Sequence, residues 1–179
     1  MQEDDFIKDL IDVRSKEAAF KKLVIEYQRP LYNIIRSIVL NHDDADDILQ
    51  NTFIKIFQNI HKFKGDSKLF SWMYRIATNE ALTFMKSKAH KNKISSEELQ
   101  TKLIENLSAD VYFDGDEIQL KLHKAVSLLP EKQQIVFKLK YFEELKYEEM
   151  ASILSTSVGA LKASYHFAVK KIEDYLNSN

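Results

Sequence analysis

The side chains able to do chemistry in this sequence are cations and hydrogen-bonding groups set among aromatics. In "FKGDSKLFSWMYRIATN", Phe63 to Asn79, three cations (Lys64, Lys68, Arg75) are threaded among Phe63, Phe70, Trp72 and Tyr74. The stretch also holds one of the chain's three glycines and its only tryptophan. Cations that neutralise phosphates beside rings that accept bases suit contact with nucleic acid. The same residues also describe an amphipathic helix with a buried aromatic face and a solvated rim. Cysteine is absent, which rules out a disulfide framework and thiolate metal sites.

A second constellation lies near the C-terminus. "ELKYEEMASILS" and "SVGALKASYHFAVKKIEDYL" are two helical patterns separated by only a few residues, the grammar of a helix-turn-helix. Ala151 is small where the two helices must cross, and Met150, Ile153 and Leu154 point inward. "STS" makes the turn, with Ser157 as the cap of the second helix. Val158, Leu161, Tyr165, Ala168, Ile172 and Leu176 fall on one inner face. Ser164, Phe167 and Lys171, with Lys162, His166 and Lys170 beside them, fall on the outer one. Between Val158 and Ile172 this outer face carries lysines and no acid. A plain helical hairpin explains the apolar stripe but not that bias. A helix in a major groove explains both, its cations holding phosphates and its polar tips reading base edges.

The elements that must position these residues are helical. Apolar residues make up 45% of 179, enough for a real core, while 3 Gly and 2 Pro leave little material for tight turns. Lys16 to Leu40 repeats apolar residues at steps of three and four, with Pro30 expected to kink or split it. Asn41 or Asp43 caps a following helix whose stripe runs from Ala45 to Ile60. "FKGDS" breaks the pattern, and Ser67 is expected to cap a helix reaching about Ala89, with Trp72 and Ile76 in the core. Beyond Lys93 the periodicity fades, although "SSEELQTKLIENL" has the makings of a short helix. Helices follow from Glu117 to just before Pro130 and from Glu131 to about Phe142. The fold class is all-α: two small helical domains, residues 1–89 and 117–179, joined by an acidic, partly flexible linker over 90–116. Charge follows the same division. Lys62 to Lys93 carries eight cations against two acids, and Glu97 to Glu117 carries seven acids against one lysine, so a net charge of −1 conceals opposed surfaces.

Three segments in order resemble the sigma factors of the extracytoplasmic-function (ECF) group, the small two-domain bacterial initiation factors. "DADDILQNTFIKIF" resembles the polymerase-binding helix of region 2. "KFKGDSKLFSWMYRIATNEA" resembles the promoter-opening segment, and "LPEKQQIVFKLKYFEELKYEEMASILSTSVGALKASYHFAVKKI" resembles region 4. The wording "SVGALKASYH" is similar to members of Bacteroidetes type. The resemblance implies that Asp47, Gln50 and Ile54 dock on core RNA polymerase. It implies that Lys64, Gly65, Asp66, Ser67, Lys68, Arg75 and Asn79 capture and support a flipped base of the minus-ten element. It implies that Ser157, Lys162, Ser164, His166, Phe167, Lys170 and Lys171 meet the minus-thirty-five element. Ser164 and Phe167 stand where many relatives carry arginine, which leaves the promoter sequence open. The implied partners are core RNA polymerase, promoter DNA and an anti-sigma factor, with the chain a monomer outside complexes. No cofactor, metal, catalytic residue or enzyme activity is implied.

Other readings make different demands. A helix-turn-helix regulator with an N-terminal sensing or dimerisation lobe would bind DNA as a dimer without polymerase. A metal phosphohydrolase would use "HDD", His42 to Asp44, but His61, His90, His123 and His166 lack ligand spacing. A pure interaction module leaves the order of the three segments unexplained. No apolar run approaches ~18 residues and "MQEDDFIKDL" opens without a basic, then apolar, leader, so a cytoplasmic location is expected.

Overall fold

The computed structural model describes residues 3–109 and 117–178. In chain order the helices among them are α1 (Glu3–Ile11), α2 (Lys16–Val39), α3 (His42–Asn59), α4 (Leu69–Lys91), α5 (Ser96–Glu105), α6 (Glu117–Ser127), α7 (Glu131–Tyr141), α8 (Tyr147–Leu154) and α9 (Val158–Ser178). None of the described helices is long and apolar enough to cross a membrane.

The first lobe is built on α2, α3 and α4, whose stripes meet. Leu23, Leu31, Ile34, Ile35 and Ile38 of α2 are buried with Ile48 and Ile56 of α3 and Met73, Ala77 and Ala81 of α4. Pro30 does not split α2, which runs unbroken through it. Proline fixes φ near the helical value and removes one donor. The buried Leu31, Ile34 and Ile35 in the next turn hold the helix across that single lost bond. α2 ends at Leu40, which turns left-handed and returns its N–H to Arg36 O. Asn41 then caps α3, its side chain accepting from the Asp44 N–H at 2.9 Å.

The segment expected to be a linker is helical in its first half. Ser95 and Glu98 close a reciprocal capping box on α5, and Leu99 and Ile104 are buried. Residues 110–116, the acidic end of that segment, lie outside the described residues. In the second lobe α6, α7 and α9 enclose Ala125, Val126, Leu129, Phe137, Ala168 and Ile172. Gln134 is buried beneath the α6–α7 turn, donating to Leu129 O at 2.8 Å and exchanging amide bonds with Gln100 of α5.

The two lobes share a core. Ile135, Val136, Leu139, Leu145, Met150, Ile153 and Leu161 belong to the same apolar cluster as the first-lobe residues, with α8 seated on α4 and α7 on α2.

Candidate nucleic-acid interface

The loop between α3 and α4 is shaped by its backbone. After Asn59 a single 3₁₀ turn, Ile60–Lys62, brings the chain round, and Phe63 N–H bonds Ile60 O at 3.0 Å. Gly65 has φ +76°, with nothing within 4 Å of where a Cβ would lie. Glycine is favoured there by the left-handed conformation, not by crowding; an L-residue would cost about 1 kcal/mol or more. Ser67 does not cap α4. The cap position is Lys68, one residue later, so the Ser67 hydroxyl sits a step too early and lies 3.4 Å from Lys68 O instead. Lys64, Gly65, Asp66 and Lys68 are exposed and Ser67 is half-buried.

Behind the loop, Phe63 and Trp72 meet with centroids 5.5 Å apart, pinning the loop's entry to the first turn of α4. Trp72 and Ile76 are half-buried and pack against the core, whose buried positions on this helix include Leu69, Met73, Tyr74, Ala77 and Ala81. Tyr74 is only 2% exposed. Trp72, Arg75 and Asn79 follow one another at helical spacing, with Arg75 half-buried and Asn79 exposed. The loop precedes α4, and the stripe runs from the first turn of that helix to Asn79 near its middle.

Asp47, Gln50 and Ile54 are all exposed on α3, at steps of three and four along one face. Ile54 is 53% exposed although its neighbours Thr52 and Ile56 are fully buried.

The helix-turn-helix forms through the expected residues. Ser155 is left-handed at φ 51°, Thr156 N–H returns to Ala151 O at 3.2 Å, and Ser157 Oγ accepts from Ala160 N–H at 3.2 Å. Lys162, His166, Phe167, Lys170 and Lys171 are exposed on α9, and Phe167, at 56% exposure, is not core. Lys162 lies over the Tyr147 ring, and Lys171 Nζ donates to Gln133 Oε1 at 3.2 Å. Two positions differ from expectation. Ser164 is half-buried in the wall of a cleft shared with Leu82 of α4, and Leu176 is exposed while its neighbour Tyr175 packs against the lobe.

Sequence reasoning missed a polar seam between the lobes. The Tyr74 hydroxyl lies 3.1 Å from Pro30 O and 3.3 Å from Glu143 Oε2, the latter just beyond α7. Burial pushes the Glu143 carboxyl up to about 7, against the opposing hydrogen bond from Tyr74. Burial, and then the Glu143 charge, raises the Tyr74 phenol. Lys138, 3% exposed, is pushed down to about 8 by burial. His123, stacked on Phe142, is pushed down to about 4 by burial and by the charges of Lys138 and Arg36. Lys86–Glu131 at 3.0 Å and Lys68–Glu149 at 3.7 Å also cross the seam. The sequence signal was slight: apolar runs around Tyr74 and Phe137 broken by one tyrosine and one lysine.

No cluster of three His, Asp or Glu residues suited to a metal occurs among the described residues. His42 Nδ1 is instead 2.7 Å from the Tyr32 hydroxyl, and its Nε2 is 3.4 Å from Asp46.

A helix-turn-helix lobe set on a helical lobe with a cation-and-aromatic loop is the architecture of a bacterial transcription initiation factor. Residues 23–91 match the model of Sigma-70 region 2 and residues 119–172 that of Sigma-70 region 4. The chain is 28% identical over 171 residues to the RNA polymerase sigma-H factor of Pseudomonas aeruginosa, covering 91% of this chain and 89% of that protein. It is 25% identical over 169 residues to the ECF RNA polymerase sigma-E factor of Escherichia coli, covering 90% and 88%. Its fold is similar to that of CnrH in complex with the cytosolic domain of CnrY, with a TM-score of 0.68, 20% identity and 98% of each chain covered. It is also similar to RpoE in complex with the anti-sigma factor NepR from Bartonella quintana, with a TM-score of 0.65, 20% identity and 88% and 96% covered. The chain belongs to the sigma-70 family and is a sigma factor of the ECF group.

Proposed function

We propose that this sigma factor divides promoter recognition between its two ends. α3 presents Asp47, Gln50 and Ile54 to core RNA polymerase. The Lys64–Ser67 loop takes up a base flipped from the minus-ten element, with Asp66 and Ser67 offering hydrogen bonds to its edge. Flipping forfeits a few kcal/mol of stacking and pairing, which those contacts must offset. Lys64, Lys68 and Arg75 neutralise the flanking phosphates, and Asn79 meets a second base. On α9, Lys162, Lys170 and Lys171 hold phosphates of the minus-thirty-five element, Ser157 and His166 add polar contacts, and Phe167 lies against a thymine methyl. Ser164 reaches that surface only when the lobes separate.

The observation that carries this reading is the loop itself. Gly65 is left-handed, Asp66 is exposed, and Trp72 anchors the structure behind them. The chain acts as a monomer in the cytoplasm and is held in reserve by an anti-sigma factor, a partner class named in the NepR complex.

Reconstitution with core RNA polymerase on a promoter library tests the whole reading. Absence of promoter-specific transcripts from any cognate core enzyme sinks it. Asp66→Ala and Asn79→Ala test the loop: each is expected to abolish promoter opening while polymerase binding survives. Normal opening by both variants refutes the assignment.

A further inference from the structure

Lys138 lies on α7 between Phe137 and Leu139 and is 3% exposed. An ammonium taken out of water needs a counter-charge or hydrogen-bond acceptors. Lys138 has neither: among the described residues its side chain makes no hydrogen bond and no ion pair. Burial alone pushes it down to about 8, which leaves it mostly protonated at neutral pH.

The side chain lines a cavity of about 50 Å³ walled by α2, α4, α5 and α7. Two acids reach the same cavity, but Glu131 is held by Lys86 at 3.0 Å, and Glu97 does not pair with Lys138. Gln100 and Gln134 use their carbonyl oxygens on each other's amides. The first turn of α5 adds donors. Its capping box takes up the Ser95 and Glu98 N–H groups. The Ser96 and Glu97 N–H groups between them have no partner among the described residues, and both residues line the cavity. Unbonded N–H groups at a helix N-terminus carry partial positive charge and attract anions. A buried ammonium and a helix N-terminus thus meet in one small cavity, each with donors unused.

We propose that this cavity binds a small monovalent oxyanion, held by the Lys138 ammonium and the Ser96 and Glu97 N–H groups. Size sets the class. One water-sized sphere needs ~10–15 Å³, so the cavity takes about three to five heavy atoms. Bicarbonate, nitrate and formate fit, and a nucleotide does not. Charge narrows the class further. Glu97 and Glu131 in the wall repel a dianion more strongly than a monoanion, which disfavours sulfate and hydrogen phosphate. The bound anion joins α5 to α7, a site that exists only in the folded chain, so binding stabilises the fold.

Urea unfolding of the full chain tests this at fixed pH and ionic strength. Sodium gluconate, too large for the cavity, is the background salt. Bicarbonate, nitrate and formate are titrated in separately, with sulfate as the dianion. At least one monovalent oxyanion is expected to stabilise the chain saturably, and at ten times its Kd to raise the folding constant about elevenfold. The anion that saturates at the lowest concentration identifies the preferred ligand. No saturable response to any of the monovalent anions, or a response to sulfate alone, overturns the proposal.

Lys138→Met keeps most of the side chain's length and removes a buried charge that has no partner, so this variant is expected to fold at least as stably as wild type. It should lose the anion response, while Lys124→Met on the exposed face of α6 keeps it. An equal response in Lys138→Met and wild type refutes the site. Backbone amide NMR locates the ligand: the Ser96 and Glu97 signals should shift saturably, with the Kd found in the unfolding titration. A titration that leaves both amides unmoved overturns the assignment.

Discussion

Glu143 gives the lobe interface a dependence on pH that can be worked out in advance. Its carboxyl is raised from an ordinary 4.5 to about 7. A raised carboxyl stabilises the fold while protonated; that contribution is complete below about pH 4.5 and gone once pH rises past about 7. The gap is worth at most roughly 3 kcal/mol at about 1.4 kcal/mol per pH unit, and solvent at this half-buried group brings it nearer 2. His123 works in the opposite direction. Its ring is depressed from 6.5 to about 4, so its stabilisation is present above pH 6.5 and lost as pH falls through about 4. The charges that act on His123 are those of Lys138 and Arg36, and Lys138, at about 8, titrates above this window. Wild-type stability is expected to rise from pH 7.5 to 6.5 and then hold level to about 4.5, where the two effects cancel. Glu143→Gln should remove the rise and fall below pH 6.5, while His123→Gln should climb steadily to pH 4.5. Urea unfolding of the three full-length proteins across pH 4.5 to 7.5 reads all of this. If Glu143→Gln follows the wild-type curve throughout, Glu143 is not the titrating group and the reasoning fails.

Three further outcomes follow from particular side chains. Thr52 and Thr78 are buried with hydroxyls that have no hydrogen-bond partner. Thr52→Val and Thr78→Val should therefore each stabilise the protein by roughly 1 kcal/mol in thermal or urea unfolding. Asn41→Ala removes the α3 cap and is expected to cost about 1 kcal/mol in the same assay. Ile54→Asp, on an exposed face, should leave the unfolding midpoint within about 0.5 kcal/mol of wild type and weaken core polymerase binding in a pull-down or titration. Unchanged binding removes Ile54 from that interface.

Helix positions and caps were readable wherever they depend on neighbours in the chain. Asn41 and Ser157 cap as their types predict, and α5 forms where "SSEELQTKLIENL" had the makings of a short helix. Ser67 was misread because cap preference is blurred by a single residue of register, and the extended backbone at Lys68 decided it. The aromatic helix was read only in part, for a different reason. Trp72 and Tyr74 differ little in apolar pattern, but only contact with α2 and the second lobe determines that Tyr74 is buried and Trp72 half-exposed. The shared core between lobes has the same origin. Ile135, Leu139, Met150 and Ile153 serve equally well inside an isolated domain, and periodicity cannot name the surface that covers them.

The balance of forces at the seam bears on what can open it. Lys86 and Glu131 are each more than half exposed, and pairs of that kind contribute about 0–1 kcal/mol. Met150 and Leu139, fully buried in the shared cluster, each stabilise by roughly 1.5–3 kcal/mol if opening exposes them. Apolar burial therefore holds the lobes together, and the acids determine which surface is covered. Salt should loosen the ion pairs yet leave the body closed. A ligand shifts such an equilibrium only by its differential affinity for the two states. A ligand that only replaced Glu131 and Glu149 on their lysines would gain a small difference against that apolar surface. A partner that covers the exposed apolar faces of both lobes can supply a larger one.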